Sequence, residues 1–220
     1  MKFLITAGPT QEPIDPVRYL SNRSSGKMGY AIAEAAVKAG HQAVLISGPT
    51  GLDIPDGTDY IPVETAREME EAVQYWIKGC EVAIMTAAVS DYRMDTIAPQ
   101  KLKKQEGVDT LTLELVKNPD ILANIRKDGT YDGILVGFAA ETENLIKNAQ
   151  AKLERKGCDM ILANDVSKGQ VFGSDKNTLY AVYSDTVKEL GTHSKQHLAH
   201  IIIRLCEKMS NQRDLRNLEK

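Results

Sequence analysis

The chain has 220 residues, 42% of them hydrophobic and 26% charged, with a formal net charge of −3. That length and balance suit one sizeable soluble core, and the absence of a general basic field argues against nucleic acid as a partner. No apolar run approaches the roughly 20 residues that span a bilayer, so no membrane-spanning helix and no membrane partner are expected.

Cys80, Cys158 and Cys206 are odd in number and far apart in the sequence. Such spacing fits reduced thiols and a cytoplasmic location, with no disulfide framework. The N-terminal MKFLITAG is punctuated too early for a signal peptide. It reads as a buried first strand.

Taken in chain order, the strand candidates are KFLITA, QAVLIS from Gln42, YIPV from Tyr60, VAIMTAA from Val82, ILVGFAA from Ile134, MILAND from Met160 and, last, TLYAVYS from Thr178. The inner ones are almost continuously apolar, as strands covered on both faces must be. Between them lie helical stripes: Met28, Ile32, Ala35, Ala36 and Ala39, ended by Gly40; Met69, Ala72, Val73, Trp76 and Ile77; and Leu145, Ala149 and Leu153, closed by Gly157. Strands alternating with helices predict a three-layer, Rossmann-like α/β fold with a mostly parallel sheet, occupying residues 1–220 as one domain. Residues 91–118 break the rhythm. Leu111, Leu113 and Leu115 alternate with polar residues, predicting a half-exposed antiparallel strand, with the charged KLKKQ before it either pairing as a ribbon or staying mobile. This insertion follows a central strand, where open α/β sheets bind ligands. A lid, a structural flap and a dimer arm are equal readings of it. The polar end SNQRDLRNLEK reads as a fraying helix.

The connection from Gly8 to Gly29 is far longer than the few residues a strand-to-helix turn needs. Its end, SSGKMG, places Ser24, Ser25 and Gly26 at a helix start, where free N–H groups and the helix dipole favour an anion. Gly26 and Gly29 allow close approach, Gly8 joins them at one strand end, and Ser24 or Ser25 can cap. Phosphate binding is therefore preferred to a capped helix without ligand. The Walker pattern fails, because Ser21 and Met28 stand where it needs Gly and Ser or Thr. The dinucleotide fingerprint fails too, for want of a tight turn.

Other candidates are weaker one by one. Asn22 offers both donor and acceptor without taking a proton, though turn asparagines are common. Asp91 sits at a strand end and suits a base, a ribose or a metal. Lys101, Lys103 and Lys104 suit a triphosphate or plain solvent. Pro119 in KNPD reads as the first residue of a helix, and Phe138 to Ala140 offer a bed for a base. Lys152 and Lys156 share a helix face, and alone they read as ordinary surface. His193, His197 and His200 fall on one predicted helix face, but no carboxylate or thiolate completes a zinc shell. They read as a surface strip beside Leu198, Ile201, Ile202 and Leu205.

Together, ITAGPTQEPIDPVRYLSNRSSGKMG, TAAVSDYR with APQKLKK, VKNPDIL, GFAAET and LANDVS, in this order, closely resemble phosphopantothenoylcysteine synthetase, the ligase of coenzyme A biosynthesis. The likeness runs over nearly the whole chain. It implies an enzyme that joins 4′-phosphopantothenate to cysteine in two steps. The carboxylate displaces pyrophosphate from CTP (ATP in eukaryotic members) to give an acyl-cytidylate, and the amine of cysteine then displaces CMP, with Mg2+ on the triphosphate. By the same resemblance Asn22 meets the acyl-nucleotide and Lys101 rides a flap over the site. Met85, Thr86, Ala87, Asp91, Pro119, Asp120, Ile121, Leu122, Phe138, Lys152 and Lys156 meet the nucleotide. Gly8, Ser24, Gly26 and Gly29 lie near phosphates, and Arg18 and Ala88 lie in motifs linked to substrate and dimer contact. The resemblance further implies a homodimer. Because the chain opens directly on the synthetase motif, it implies the free-standing form, linked in function to a separate phosphopantothenoylcysteine decarboxylase. The readings weighed against it are an NAD(P)-dependent oxidoreductase on the same fold and a non-catalytic nucleotide-binding module.

Overall fold

The computed structural model describes residues 1–104, 106–107, 109–127, 129–141, 143–166 and 175–218. Its centre is an eight-stranded sheet. The strands β1 (Lys2–Ala7), β4 (Gln42–Ser47), β5 (Asp59–Pro62), β6 (Val82–Met85), β9 (Ile134–Glu141) and β10 (Met160–Asp165) run parallel, and β11 (Lys176–Val182) and β12 (Val187–Ser194) add an antiparallel edge. The order is β12-β11-β10-β9-β6-β1-β4-β5. From β1 the chain first builds outward through β4 and β5, then returns to β6 and builds the other way. The reversal between β1 and β6 is the kind of switch point that opens a crevice at the strand tips.

Alternation along each strand divides the core. Phe3, Ile5, Leu45, Ile84, Val136 and Leu162 face α1 (Lys27–Lys38) and α5 (Lys195–Leu218). Leu4, Val44, Ile46, Ala83, Leu135 and Ile161 face α2 (Ala66–Trp76), α3 (Ile121–Asn124) and α4 (Leu145–Lys156). Both faces are covered, which is why the inner strands carry no polar alternation.

The structure departs from the sequence expectations in several places. The long connection after β1 is a hairpin of β2 (Gln11–Asp15) and β3 (Arg18–Ser21). Its Glu12 is buried and accepts from the Ala66 amide at the start of α2, 3.0 Å away. TLYAVYS is not the last strand; β12 pairs with it, and His193 belongs to β12 instead of a helix face with His197 and His200. In the insertion, β8 (Leu115–Lys117) pairs with β7 (Tyr92–Met94), not with KLKK, and Leu111 and Leu113 lie outside any strand. The hydrogen bonds of this short ribbon therefore run back to the segment just after β6. The C-terminal polar stretch continues α5 to Leu218.

Candidate functional site

Two adjoining clefts open at the carboxyl ends of β1, β6, β9 and β10. The larger, of 520 Å³, is lined by Met85, Ala87, Asp91, Pro119, Asp120, Ile121, Leu122, Phe138, Lys152 and Lys156, among others. The smaller, of 290 Å³, is lined by Ser24, Gly26, Gly29, Thr86, Ala87, Ala88, Phe138 and Lys152, and runs on to Asn164, Asn177 and Lys195. Ala87, Val89, Phe138 and Lys152 belong to both. One continuous trough thus gathers most of the residues singled out in the sequence. Gly8, Arg18, Asn22 and Lys101 line neither cleft.

The α1 end of the trough is shaped by close approach. Gly26 takes the N-cap position with φ 75°, a left-handed conformation that favours glycine. A Cβ there would fall 3.3 Å from the Gly8 backbone, so these two glycines do converge. At Gly29 a Cβ would lie 2.6 Å from both Ala7 Cβ and Thr86 Oγ1. Helix α1 can therefore seat its first turn directly over β1 and β6. Neither serine caps the helix with its side chain. Ser24 Oγ accepts from Gly26 N at 3.3 Å, and Gly26, Met28 and Gly29 bring the start of α1, the end of a helix that favours an anion, to the wall of the smaller cleft.

The β6 tip is held by backbone pairing. Ala88 N donates to Gly8 O at 2.9 Å, and Ala88 O accepts from Thr10 N at 3.2 Å and from Asn22 Nδ2 at 3.0 Å. Asn22 thus stands at the rim of the smaller cleft, tied to Ala88, a wall residue that also bridges to the first connection. Asp91 is exposed at the larger cleft, its carbonyl accepting from Asn118 N at 2.8 Å.

The lysines of α4 correct the ordinary-surface reading. Lys152 Nζ donates to Phe138 O at 2.5 Å and is largely withdrawn from water. Burial, and after it the charge of Lys156, lowers its pKa below 10.5. The Lys156 side chain is only 12% exposed and pairs with Asp120. Burial alone would raise the Asp120 carboxyl, but hydrogen bonds from Lys156 and from Ala123 N outweigh it and hold it low. Asp120, not Pro119, caps α3; Pro119 precedes the cap, where its fixed φ still directs the chain into the turn. The wall of the larger cleft is therefore cationic but partly neutralised, a setting that suits a phosphorylated ligand of limited size.

Arg18 is placed away from both clefts. Its guanidinium holds Asp15 through Nε at 3.0 Å and Nη2 at 2.5 Å, and Nη2 also donates to Leu102 O at 2.8 Å. Asp15 Oδ2 accepts from Leu102 N at 3.0 Å. The segment bearing Lys101 is thus pinned to the hairpin one residue beyond Lys101, whose own side chain is exposed. Thr142 of GFAAET and Ser167 of LANDVS lie outside the described residues.

The sequence reading missed Asn164, Asn177 and Lys195, all of which line the smaller cleft. LANDVS was noticed as a motif, but a strand-end asparagine gives no signal of its own. Asn177 and Lys195 become neighbours only through the unforeseen β12. Among the described residues no group of His, Cys, Asp or Glu is placed to cage a metal ion.

The family model for the DNA/pantothenate metabolism flavoprotein C-terminal domain matches residues 1–209. The chain belongs to this family. It is 46% identical over 205 residues, 93% of its length, to the coenzyme A biosynthesis bifunctional protein CoaBC of Vibrio cholerae serotype O1, and 47% identical over 206 residues, 92% of its length, to that of Escherichia coli (strain K12). It spans about half the length of these relatives, 51% and 50%. The crystal structure of the C-terminal domain of a CoaBC protein superposes with a TM-score of 0.81 at 39% identity, covering 96% of both chains. A Cab2 mutant in complex with phosphopantothenate-cysteine shares the fold, with a TM-score of 0.76 at 18% identity over 96% of this chain and 86% of that one. The Rossmann-like α/β reading and the family resemblance are borne out.

Proposed function

We propose that this chain joins 4′-phosphopantothenate to cysteine, drawing on CTP. The observation that carries the reading is the single trough formed by two clefts that share Phe138 and Lys152. It has room and donors for two phosphorylated molecules side by side. The names of the relatives and of the Cab2 complex point the same way.

In the first step a carboxylate oxygen of the phosphopantothenate attacks the α-phosphorus. A bond from the carboxylate oxygen to the α-phosphorus forms, the bond from the α-phosphorus to the α–β bridging oxygen breaks, and pyrophosphate leaves with that electron pair. In the second, the cysteine amine attacks the acyl carbon, the acyl–oxygen bond breaks, CMP leaves and the amine gives up a proton. The chain's own part is charge stabilisation and positioning. The α1 amides and Lys152 hold phosphoryl oxygens. Asn22, at the rim, meets the acyl carbonyl. Lys101 closes from the hairpin-anchored segment and excludes water from the mixed anhydride. Mg2+ fits as a phosphate-held ion, because Asp91 offers one exposed carboxylate and magnesium needs few protein ligands when phosphates supply the rest; it would neutralise triphosphate charge. Ala88 belongs to the substrate side of the trough, and Arg18, away from both clefts, acts through the segment it holds beside Lys101.

A homodimer is part of the proposal. Val17 and Tyr19 on the hairpin and Tyr92 and Ile97 near the ribbon are exposed apolar side chains. They give a second copy an apolar face beside the site. We place the protein in the cytoplasm, with its product passing to a decarboxylase.

The test is pyrophosphate release in the presence of phosphopantothenate and cysteine, with CTP or ATP. Release that needs phosphopantothenate, matched mole for mole by amide and faster with CTP, is expected. Release without amide, or none with either nucleotide, would overturn the assignment.

A further inference from the structure

Two chain segments wall the larger cleft. One leaves the tip of β6 and runs through Ser90 and Asp91; the other is Lys117 to Leu122, where the ribbon turns into α3. The far end of the second wall rests on the sheet. A Cβ on Gly137 of β9 would lie 3.0 Å from Leu122 Cδ2, so the glycine lets that side chain sit against the strand. In the middle, Asp120 caps α3 and pairs with Lys156. At the near end Asn118 joins the two walls. Its backbone N–H donates to Asp91 O and its side-chain Nδ2 donates to Ser90 O, both at 2.8 Å.

Arg93 aims the Asn118 side chain. From β7 it reaches across the ribbon, and its Nη1 donates to Lys117 O and to Asn118 Oδ1, the latter at 3.3 Å. The carboxamide thus works at both ends, accepting from a guanidinium and donating to a carbonyl, which neither an aspartate nor an apolar residue of that size can do. The first wall is anchored in turn, because Ser90 N donates to Oγ1 of the buried Thr10 at 3.0 Å. A line of bonds through Thr10, Ser90, Asn118 and Arg93 therefore runs from the first connection to the ribbon. The ribbon's own ladder has only the pairs Tyr92–Lys117, Arg93–Val116 and Met94–Leu115. A lone two-stranded ladder is marginal in water, so the side-chain bonds decide where the turn at Asn118 sits. Arg93 and Asn118 are half-buried, where such bonds are stronger than in open water.

We propose that Asn118, aimed by Arg93, is a positioning residue for the nucleotide: it fixes the gap between Asp91 on one wall and Pro119 to Leu122 on the other, and with it the width of the larger cleft. It acts through those walls and not on the reacting atoms. The assignment of this cleft to a nucleoside triphosphate rests on the ligase reading. A gap set in advance leaves less ordering to be done when the ligand enters. The smaller cleft keeps its shape without Asn118, since neither Ser90 nor Asn118 lines it. The effect is therefore selective for one of the two phosphorylated substrates.

The test is titration calorimetry of the full chain with CTP, which needs no turnover, beside steady-state KM values. Asn118→Ala weakens CTP binding by about tenfold, the upper end of what one net hydrogen bond carries, and raises the KM for CTP alike, while the KM for phosphopantothenate moves by less than about threefold. Asn118→Asp keeps the acceptor for Arg93 but puts a charge where the donor to Ser90 was, and binds CTP no better than the alanine variant. Arg93→Met shows the same selective loss and serves should Asn118→Ala not fold. Arg93→Lys, which keeps the charge and a donor, restores binding to within about threefold of wild type. CTP binding unchanged in both Asn118→Ala and Arg93→Met, or the two KM values rising together, overturns the proposal. CTP binding by a wild-type protein that makes no amide removes the ligase reading and leaves the effect of Asn118 readable. No CTP binding by wild type overturns both.

Discussion

Asn22 donates its side-chain amide to the carbonyl of Ala88 at 3.0 Å, across 66 positions of sequence. That bond ties the end of the first hairpin to the tip of β6, where both clefts meet. It also holds the Asn22 carboxamide at the rim, on an exposed residue, so the group can meet a ligand without a change of rotamer. Replacing it removes an oriented neutral dipole and leaves the start of α1 and Lys152 in place. In Asn22→Ala we expect pyrophosphate release to continue while amide formation slows on the order of 100-fold, the usual worth of one donor aimed at a developing charge. Quenched-flow measurement of both products on one sample decides it; equal slowing of the two would mean that Asn22 serves activation instead.

The clamp between Asp15 and Leu102 predicts how the lysine segment behaves. Asp15 takes hydrogen bonds from Arg18, from Leu102 N and from Val17 N, and the Arg18 guanidinium above all holds its carboxyl well below the usual carboxylate range. Because the folded-state value is depressed, the stabilisation is complete above the ordinary carboxylate pKa and is lost as the pH falls through the folded one. Wild-type protein should lose protection of the Leu102 amide in acid before its core exchanges, and Asp15→Asn should show that loss already at neutral pH in hydrogen exchange. Lys101→Gln, by contrast, should melt like wild type and turn over at least tenfold more slowly, since the Lys101 side chain is exposed. Unchanged turnover would take Lys101 out of the site.

At Gly29 the tight packing of α1 on the sheet becomes a stability test. A methyl group would meet Ala7 Cβ and Thr86 Oγ1 at 2.6 Å, and Ala7 sits on a buried central strand that cannot move aside. Overpacking of this kind costs about 1–3 kcal/mol. Gly29→Ala should therefore lower Tm by several degrees and weaken pyrophosphate binding together, because lifting α1 moves its first-turn amides. A variant with wild-type Tm would show that the helix shifts without cost.

These expectations also mark what the sequence made readable. The parallel strands were legible because burial on both faces leaves continuous apolar runs such as QAVLIS and ILVGFAA. The glycine-built start of α1 was legible because Gly26 before the helix and Gly29 in its first turn have few uses other than close approach. Strand β12, with the sequence VKELGTHS, was not legible. Only Leu190 of its eight residues is buried, so an edge strand of this kind carries no apolar period. Losing it hid the neighbourhood of Asn177 and Lys195. The hairpin in the first connection was hidden for a related reason: Glu12, a charged residue in its middle, is buried where the Ala66 amide at the start of α2 donates to its carboxylate. Lys152 and Lys156 looked like any exposed pair four residues apart, since nothing local says that β9 and Asp120 will cover them.

Lys152 gives a pH profile with a definite sign. Burial and the neighbouring Lys156 disfavour its charged form, so in the free protein it loses its proton below 10.5. A group whose folded pKa is lowered binds fewer protons than in the unfolded chain, so across that alkaline window the free protein gains stability as pH rises. Binding of an anion runs the opposite way, since it needs the ammonium. The kcat/KM for the triphosphate should hold a plateau at lower pH and fall as pH rises through the lowered value, earlier than an exposed lysine would allow. Lys152→Met should lose both the plateau and that alkaline limb, whereas Lys152→Arg should keep much of the plateau with no limb at all, because a guanidinium does not titrate there. An unchanged alkaline limb in Lys152→Met would assign the titration to another group and leave Lys152 as a prop for the Phe138 carbonyl alone.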